Sequence, residues 1–171
     1  MVANKEAFVN LNGQQVFYVH SSNNVPERGV NTLRIDPVAC IVTEENHYDT
    51  YADPNAATRL KTYLEGLSDN SLLVVVTCDE PSRLLSAAES TLQAFGADVT
   101  DVQFRGSFTF VAKKGEPAMT ILDKVLTEAD SQTMQAFVDA IVQGRTLNSD
   151  AIYCLFTDLT TDIFLLFTTR S

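Results

Sequence analysis

Three short groups of side chains have types and spacing suited to chemistry. Asp79-Glu80 precedes Pro81 and sits where an apolar run stops and a helical pattern starts. A carboxylate there complements a helix N-terminus and caps it. At the end of a central strand it also suits accepting hydrogen bonds from a ligand. Arg105 stands between Phe104 and Gly106-Ser107-Phe108, in apolar company. Its planar fork of donors fits either an internal partner such as Asp79 or an anionic or hydroxyl-bearing ligand. Tyr48-Asp49-Thr50-Tyr51 places two aromatics around an acid. One ring there suits the core, and an exposed one suits stacking. The candidate ligand-binding residues are therefore Asp79, Glu80, Arg105, Tyr48 and Tyr51, with no catalytic and no metal-binding residue assigned.

Other chemistries lack their residues. The seven glycines show neither G-x-x-x-x-G-K-S/T nor G-x-G-x-x-G spacing. There is no G-x-S-x-G elbow and no H-E-x-x-H. Two histidines, His20 and His47, and three cysteines, Cys40, Cys78 and Cys154, do not make a zinc set. The cysteines lie in apolar settings without C-x-x-C spacing and read as reduced core residues. No cofactor is expected. With 12 Lys and Arg against 22 Asp and Glu, the net charge is −10, which disfavours nucleic acid and anionic membrane surfaces.

The elements that position these residues follow from periodicity. Asn12-Gly13 lies between two apolar-leaning runs in residues 8–20, a hairpin pattern. Strands are expected at 30–35 and 39–43, separated by an Asp36-Pro37 turn. Ala56, Leu60, Tyr63, Leu64 and Leu67 place a helix over 55–67. Residues 71–77 form a β-branched run, a strand buried on both faces. A second helix is expected over 81–95, closed by Gly96. Phe108, Phe110 and Ala112 share one face of a strand over 107–112. A strand over 119–126, a helix over 131–143 and strands over 148–156 and 162–168 complete the pattern. Helices do not alternate regularly with strands. The fold class is therefore α+β: mostly antiparallel strands in a sandwich, with flanking helices.

The landmarks resemble a known domain, the interleukin-like EMT inducer / pancreatic-derived factor (ILEI/PANDER) family. Arg28-Gly29-Val30-Asn31 resembles its R-G-[IV]-N opening, and Tyr48-Asp49-Thr50-Tyr51 its F-D-T-Y element. Residues 60–67 are similar to its helix. The run 72–76 with Asp79-Glu80 is similar to its strand ending in D-[DE]. Ala94-Phe95-Gly96-Ala97 matches its L-G-S/A, residues 104–110 its F-R-D-x-W-x-F, and Lys114-Gly115 its final K-G. Phe108 replaces the family's Trp, and Gly106 the Asp after its Arg. The resemblance covers about residues 15–115 of a single domain spanning 1–171. Residues 116–171 are expected to form an extension with a C-terminal helix and two strands.

The resemblance implies a β-sandwich without catalytic apparatus. Family members include secreted signalling factors. The domain also serves as a sugar-binding stem in a protein O-mannose N-acetylglucosaminyltransferase and as a module in hyaluronan-degrading proteins. An Asp at the strand end and the Arg of F-R-D contribute to that sugar site, and they match Asp79 and Arg105. The expectation is a non-enzymatic, carbohydrate-recognising module acting as a subunit of a larger assembly such as a phage or virus particle. Its partners would be other proteins or further copies of itself, with a glycan as ligand. The alternatives are a secreted cytokine-like factor, or a hydrolase with no recognisable motif. Residues 1–24 show no basic start and no apolar run of signal-peptide length. On the assembly reading the chain is made in the cytoplasm and incorporated in a virion.

Overall fold

The structure is a computed structural model that describes residues 6–11, 14–20 and 28–125. Its centre is an antiparallel five-stranded sheet in the order β4-β3-β5-β6-β7. The strands are β3 (Gly29–Asp36), β4 (Ile41–Tyr48), β5 (Leu72–Cys78), β6 (Ser107–Lys113) and β7 (Ile121–Val125). A two-stranded sheet, β1 (Glu6–Leu11) with β2 (Gln14–His20), covers one face. Helices α1 (Ala56–Gly66) and α2 (Ser86–Ala94) cover the other. This is the expected α+β architecture of mostly antiparallel strands.

β5 is buried along its whole length, as its β-branched run dictates. Leu73 and Val75 face the helices and join Leu60, Leu64, Leu85, Leu92, Phe108 and Phe110. Leu72, Val74, Val76 and Cys78 face the hairpin and join Val9, Phe17, Val19 and Leu33. The two-residue period of a strand thus feeds two cores from one segment. The hairpin expected around Asn12-Gly13 is seen in the pairing of β1 with β2, Leu11 opposite Gln14; the two turn residues lie outside those described.

Three boundaries differ from the sequence expectation. The second strand of the β3–β4 hairpin starts at Ile41, not residue 39, and runs on to Tyr48. The Asp36 side chain accepts the N–H groups of Val38 and Ala39, at 2.8 and 2.9 Å, and its carbonyl accepts that of Cys40, so the turn lasts to Cys40. The polar stretch Glu44 to His47 hides the strand from a search for apolar alternation, because it lies at a sheet edge. Helix α2 begins at Ser86 rather than at 81, since Glu80 ties the intervening residues into a separate turn. The last strand begins at Ile121, after a 3₁₀ turn at Pro117–Met119. The expected helix over 131–143 and strands over 148–156 and 162–168 lie outside the described residues.

Lys114 secures the end of α1. Its Nζ donates to the carbonyls of Leu64, Glu65 and Leu67, at 3.1, 2.6 and 2.5 Å. These are orphan acceptors of a helix C-terminus, where a cation is favoured.

Candidate functional site

The C-terminal end of β5 gathers most of the residues singled out by type. Asp79 leaves the strand with φ +61°, a left-handed conformation that costs a non-glycine residue about 1 kcal/mol or more. That turn sends the next side chain inward. Glu80 is only 2% exposed, and its carboxylate is fully engaged. Oε1 accepts the backbone N–H of Ser82 at 2.7 Å, the Ser82 hydroxyl at 2.6 Å and the N–H of Arg83 at 3.1 Å. Oε2 accepts the backbone N–H of Arg105. A buried carboxylate needs such partners, because desolvation of an unpaired one is costly.

Glu80 therefore joins two loops. Its acceptor bond fixes the turn from Gln103 to Gly106, closed by Gly106 N–H on the Gln103 carbonyl at 2.8 Å. Arg105 occupies the third position of that turn with φ +60°, ordinarily a glycine or asparagine conformation. Phe104 before it is 57% exposed, and the Arg105 guanidinium lies 5.7 Å over its ring.

The second half of the site comes from the β3–β4 hairpin. Gly29 has φ +102°, and a Cβ there would lie 2.3 Å from the Tyr48 carbonyl and 2.7 Å from the Thr50 nitrogen. Only glycine lets the end of β4 fold over the start of β3 so closely. The closeness brings Arg28 onto Asp49: Nε to Oδ1 at 3.1 Å and NH2 to Oδ2 at 2.7 Å. Asp49 Oδ1 also accepts the N–H groups of Tyr51 and Ala52, at 3.1 and 3.0 Å. His47 Nε2 lies 2.8 Å from the Arg28 carbonyl. Thr50 completes the seam, with its hydroxyl on the Pro81 carbonyl at 2.7 Å and its carbonyl accepting Leu84 N–H at 2.9 Å. The β4 end and the Glu80 turn are thus one framework.

On this framework the Tyr51 ring meets two guanidiniums, Arg28 at 4.4 Å and Arg83 at 4.8 Å from the ring centre. Both distances are within cation–π range. Partial burial pushes the Asp49 carboxyl up, but the Arg28 guanidinium and the N–H groups of Ala52 and Tyr51 outweigh it, holding the group below the usual carboxylate range. Arg28 is raised above its ordinary value by its bonds to Asp49, and Asp79 adds to this. The resulting rim is Arg28, Asp49, Tyr51, Asp79, Arg83, Phe104 and Arg105.

The five residues expected from sequence divide on inspection. Asp79, Tyr51 and Arg105 reach this rim. Glu80 is at its centre but holds the loops from within. Tyr48 is in the core, 6% exposed, against Tyr63 with ring centres 6.3 Å apart. Burial pushes its phenol above the ordinary value. One of the two aromatics flanking Asp49 is therefore a core residue and the other a rim residue. Arg28, Asp49, Arg83 and Phe104 are rim residues that residue type alone did not single out. The signal was positional: residues just outside the open end of an antiparallel hairpin must meet, and Arg28 and Asp49 occupy those places. Among the described residues, no group of three His, Cys, Asp or Glu is placed to hold a metal, and no helix is long and apolar enough to cross a membrane.

Comparison with known families returns one model, described as Interleukin-like EMT inducer, over residues 28–116. No curated protein matches the chain. The matched region begins at Arg28 and ends just after Lys114-Gly115, so it contains both halves of the rim. The domain of that family is non-enzymatic and cytokine-like. This overturns the expectation of a carbohydrate-recognising subunit of a phage or virus particle. The match favours a cytokine-like factor, the reading first set second.

Proposed function

The chain belongs to the interleukin-like EMT inducer family, and from that premise we propose that it is a cytokine-like factor that binds a partner protein rather than catalysing a reaction. The observation that carries the reading is the family match across residues 28–116. Two features of the rim support it. Two of the acids here are committed to scaffolding: the buried Glu80 accepts four hydrogen bonds, and the rim's Asp49 accepts from Arg28, Tyr51 and Ala52. Neither is placed as a spare acid or base. What the rim offers outward includes aromatic and cationic groups: exposed Phe104 with the Arg105 guanidinium over its ring, and the Arg83 guanidinium over Tyr51. Aromatic residues and arginine are enriched where proteins bind one another.

The test is binding of the labelled full chain to cultured epithelial cells. The reading expects saturable binding that trypsin treatment of the cells removes. Binding that rises linearly without saturation, or that survives trypsin and is removed by deglycosylation alone, contradicts it.

A further inference from the structure

The free edge of the hairpin carries a separate feature. β4 is an edge strand: among the described residues it pairs with β3 on one side and with no strand on the other. At its start, Val38 is 93% exposed and Ile41 55%. Four large hydrophobic residues are this exposed among those described, and only these two are close neighbours. Next to it, across the end of β3 and the start of β5, lies an open cleft of about 350 Å³, lined by Arg34, Asp36, Thr43, Glu44 and Asp69 among others.

The register sets the charge of this edge. Glu44 lies opposite Arg34 and Glu45 opposite Leu33, so consecutive acids point to opposite faces of the sheet. A register shift at Arg34/Ile35 leaves Thr43 as a bulge, which divides the edge. Residues 44–47 offer a ladder of backbone groups, and Val38 with Ile41 offers an apolar landing beyond it. Pairing of two β4 strands about residues 44 and 45 would set acid against acid, which is unfavourable. The occupant that fits is of opposite charge.

We propose that the β4 edge docks an extended basic segment of a partner protein. The segment adds as a strand through main-chain hydrogen bonds. Lys or Arg side chains on its two faces meet Glu44 and Glu45, and an apolar residue meets Val38 and Ile41. The apolar part of this surface, Val38 and Ile41, is at the far end of β4 from Arg28 and Asp49, and the proposal does not depend on the function assigned to the rim.

The probe is a short labelled peptide alternating lysine and valine, with a glutamate–valine peptide as control, followed by anisotropy and amide NMR on the full chain. Binding is expected to shift the amides of residues 41–47 and to weaken with salt. The E44K/E45K double variant, which alters two exposed or half-exposed side chains, is expected to lose affinity by about tenfold or more. Ile41→Asp is expected to weaken binding as well. Gln93→Ala, exposed on α2 away from β4, should leave it unchanged. Equal binding of the control peptide, shifts confined to other strands, unchanged affinity in E44K/E45K, absence of binding, or doubling of the chain's own mass in place of peptide binding each overturns the proposal.

Discussion

The Arg28 guanidinium grips the Asp49 carboxylate with two nitrogens, at 3.1 and 2.7 Å, across the open end of the β3–β4 hairpin. That pair links Arg28-Gly29-Val30-Asn31 to Tyr48-Asp49-Thr50-Tyr51, two motifs that sequence shows only as separate landmarks. It also sets Tyr51 against both Arg28 and Arg83. Both partners are about a quarter exposed, so the ion pair alone stabilises by only about 1 kcal/mol. Asp49→Ala also removes the acceptor for two backbone N–H groups, and we expect a loss of about 2 kcal/mol in urea unfolding. Arg28→Lys, which keeps the charge and loses the fork, should cost about half that.

The same pair sets an acid limit. The folded Asp49 carboxyl titrates below its unfolded value of about 3.9. A depressed carboxyl contributes stability that is fully present above the unfolded value and is lost as pH falls through the folded one. Asp36, Asp53 and Asp98 are lowered too and act in the same direction. Thermal midpoints should therefore be flat in this respect above about pH 5 and fall below about pH 4. Asp49→Asn should show a shallower fall than the parent chain.

Glu80→Gln tests the buried carboxylate. An amide keeps one acceptor oxygen but turns a donor toward either the Ser82–Arg83 turn or the Arg105 N–H. We expect a loss of about 3 kcal/mol. Amide exchange should rise at residues 103–106 as well as 82–84, because one side chain holds both loops. Faster exchange in one loop only would mean that the two are not coupled through Glu80.

Gly29→Ala strains the backbone at φ +102° and drives a methyl group into the Tyr48 carbonyl. The cost should be at least about 3 kcal/mol. Gly66→Ala is the control, because a Cβ there meets nothing within 4 Å. It should leave stability unchanged or raise it slightly.

Lys114→Met keeps the aliphatic stem and removes the three bonds to the end of α1. We expect a loss of about 2 kcal/mol. It should come with faster exchange in the last turn of α1 and an unchanged rim.

The sheet was legible wherever apolar residues carried the pattern. Leu72 to Val76 and Phe108-Phe110-Ala112 announced their faces because β5 and nearly all of β6 are buried on both sides. β4 was read short because Glu44 to His47 are polar, as suits an edge. The start of α2 was misplaced because Pro81-Ser82 carries ordinary helix-start residues, and the carboxylate that diverts them acts through four bonds invisible to spacing. Asp79 and Arg105 could be found by type and by family resemblance. Their positive φ angles could not, since neither is a glycine. Tyr48 and Tyr51 look equivalent in sequence; the pairing of Tyr48 with Val30 in the register is what turns its ring to the core.

The central claim is that the rim around Arg28, Tyr51, Arg83 and Phe104 is the surface a partner protein reads. The most direct measurement is competition on epithelial cells: labelled parent chain displaced by unlabelled parent or by an Arg83→Glu/Phe104→Ala variant. Both substitutions are exposed and leave Glu80 and Asp49 in place. The account predicts full displacement by the parent and a loss of at least about tenfold in potency for the variant, with unfolding midpoints matched. Equal displacement by both chains would contradict it.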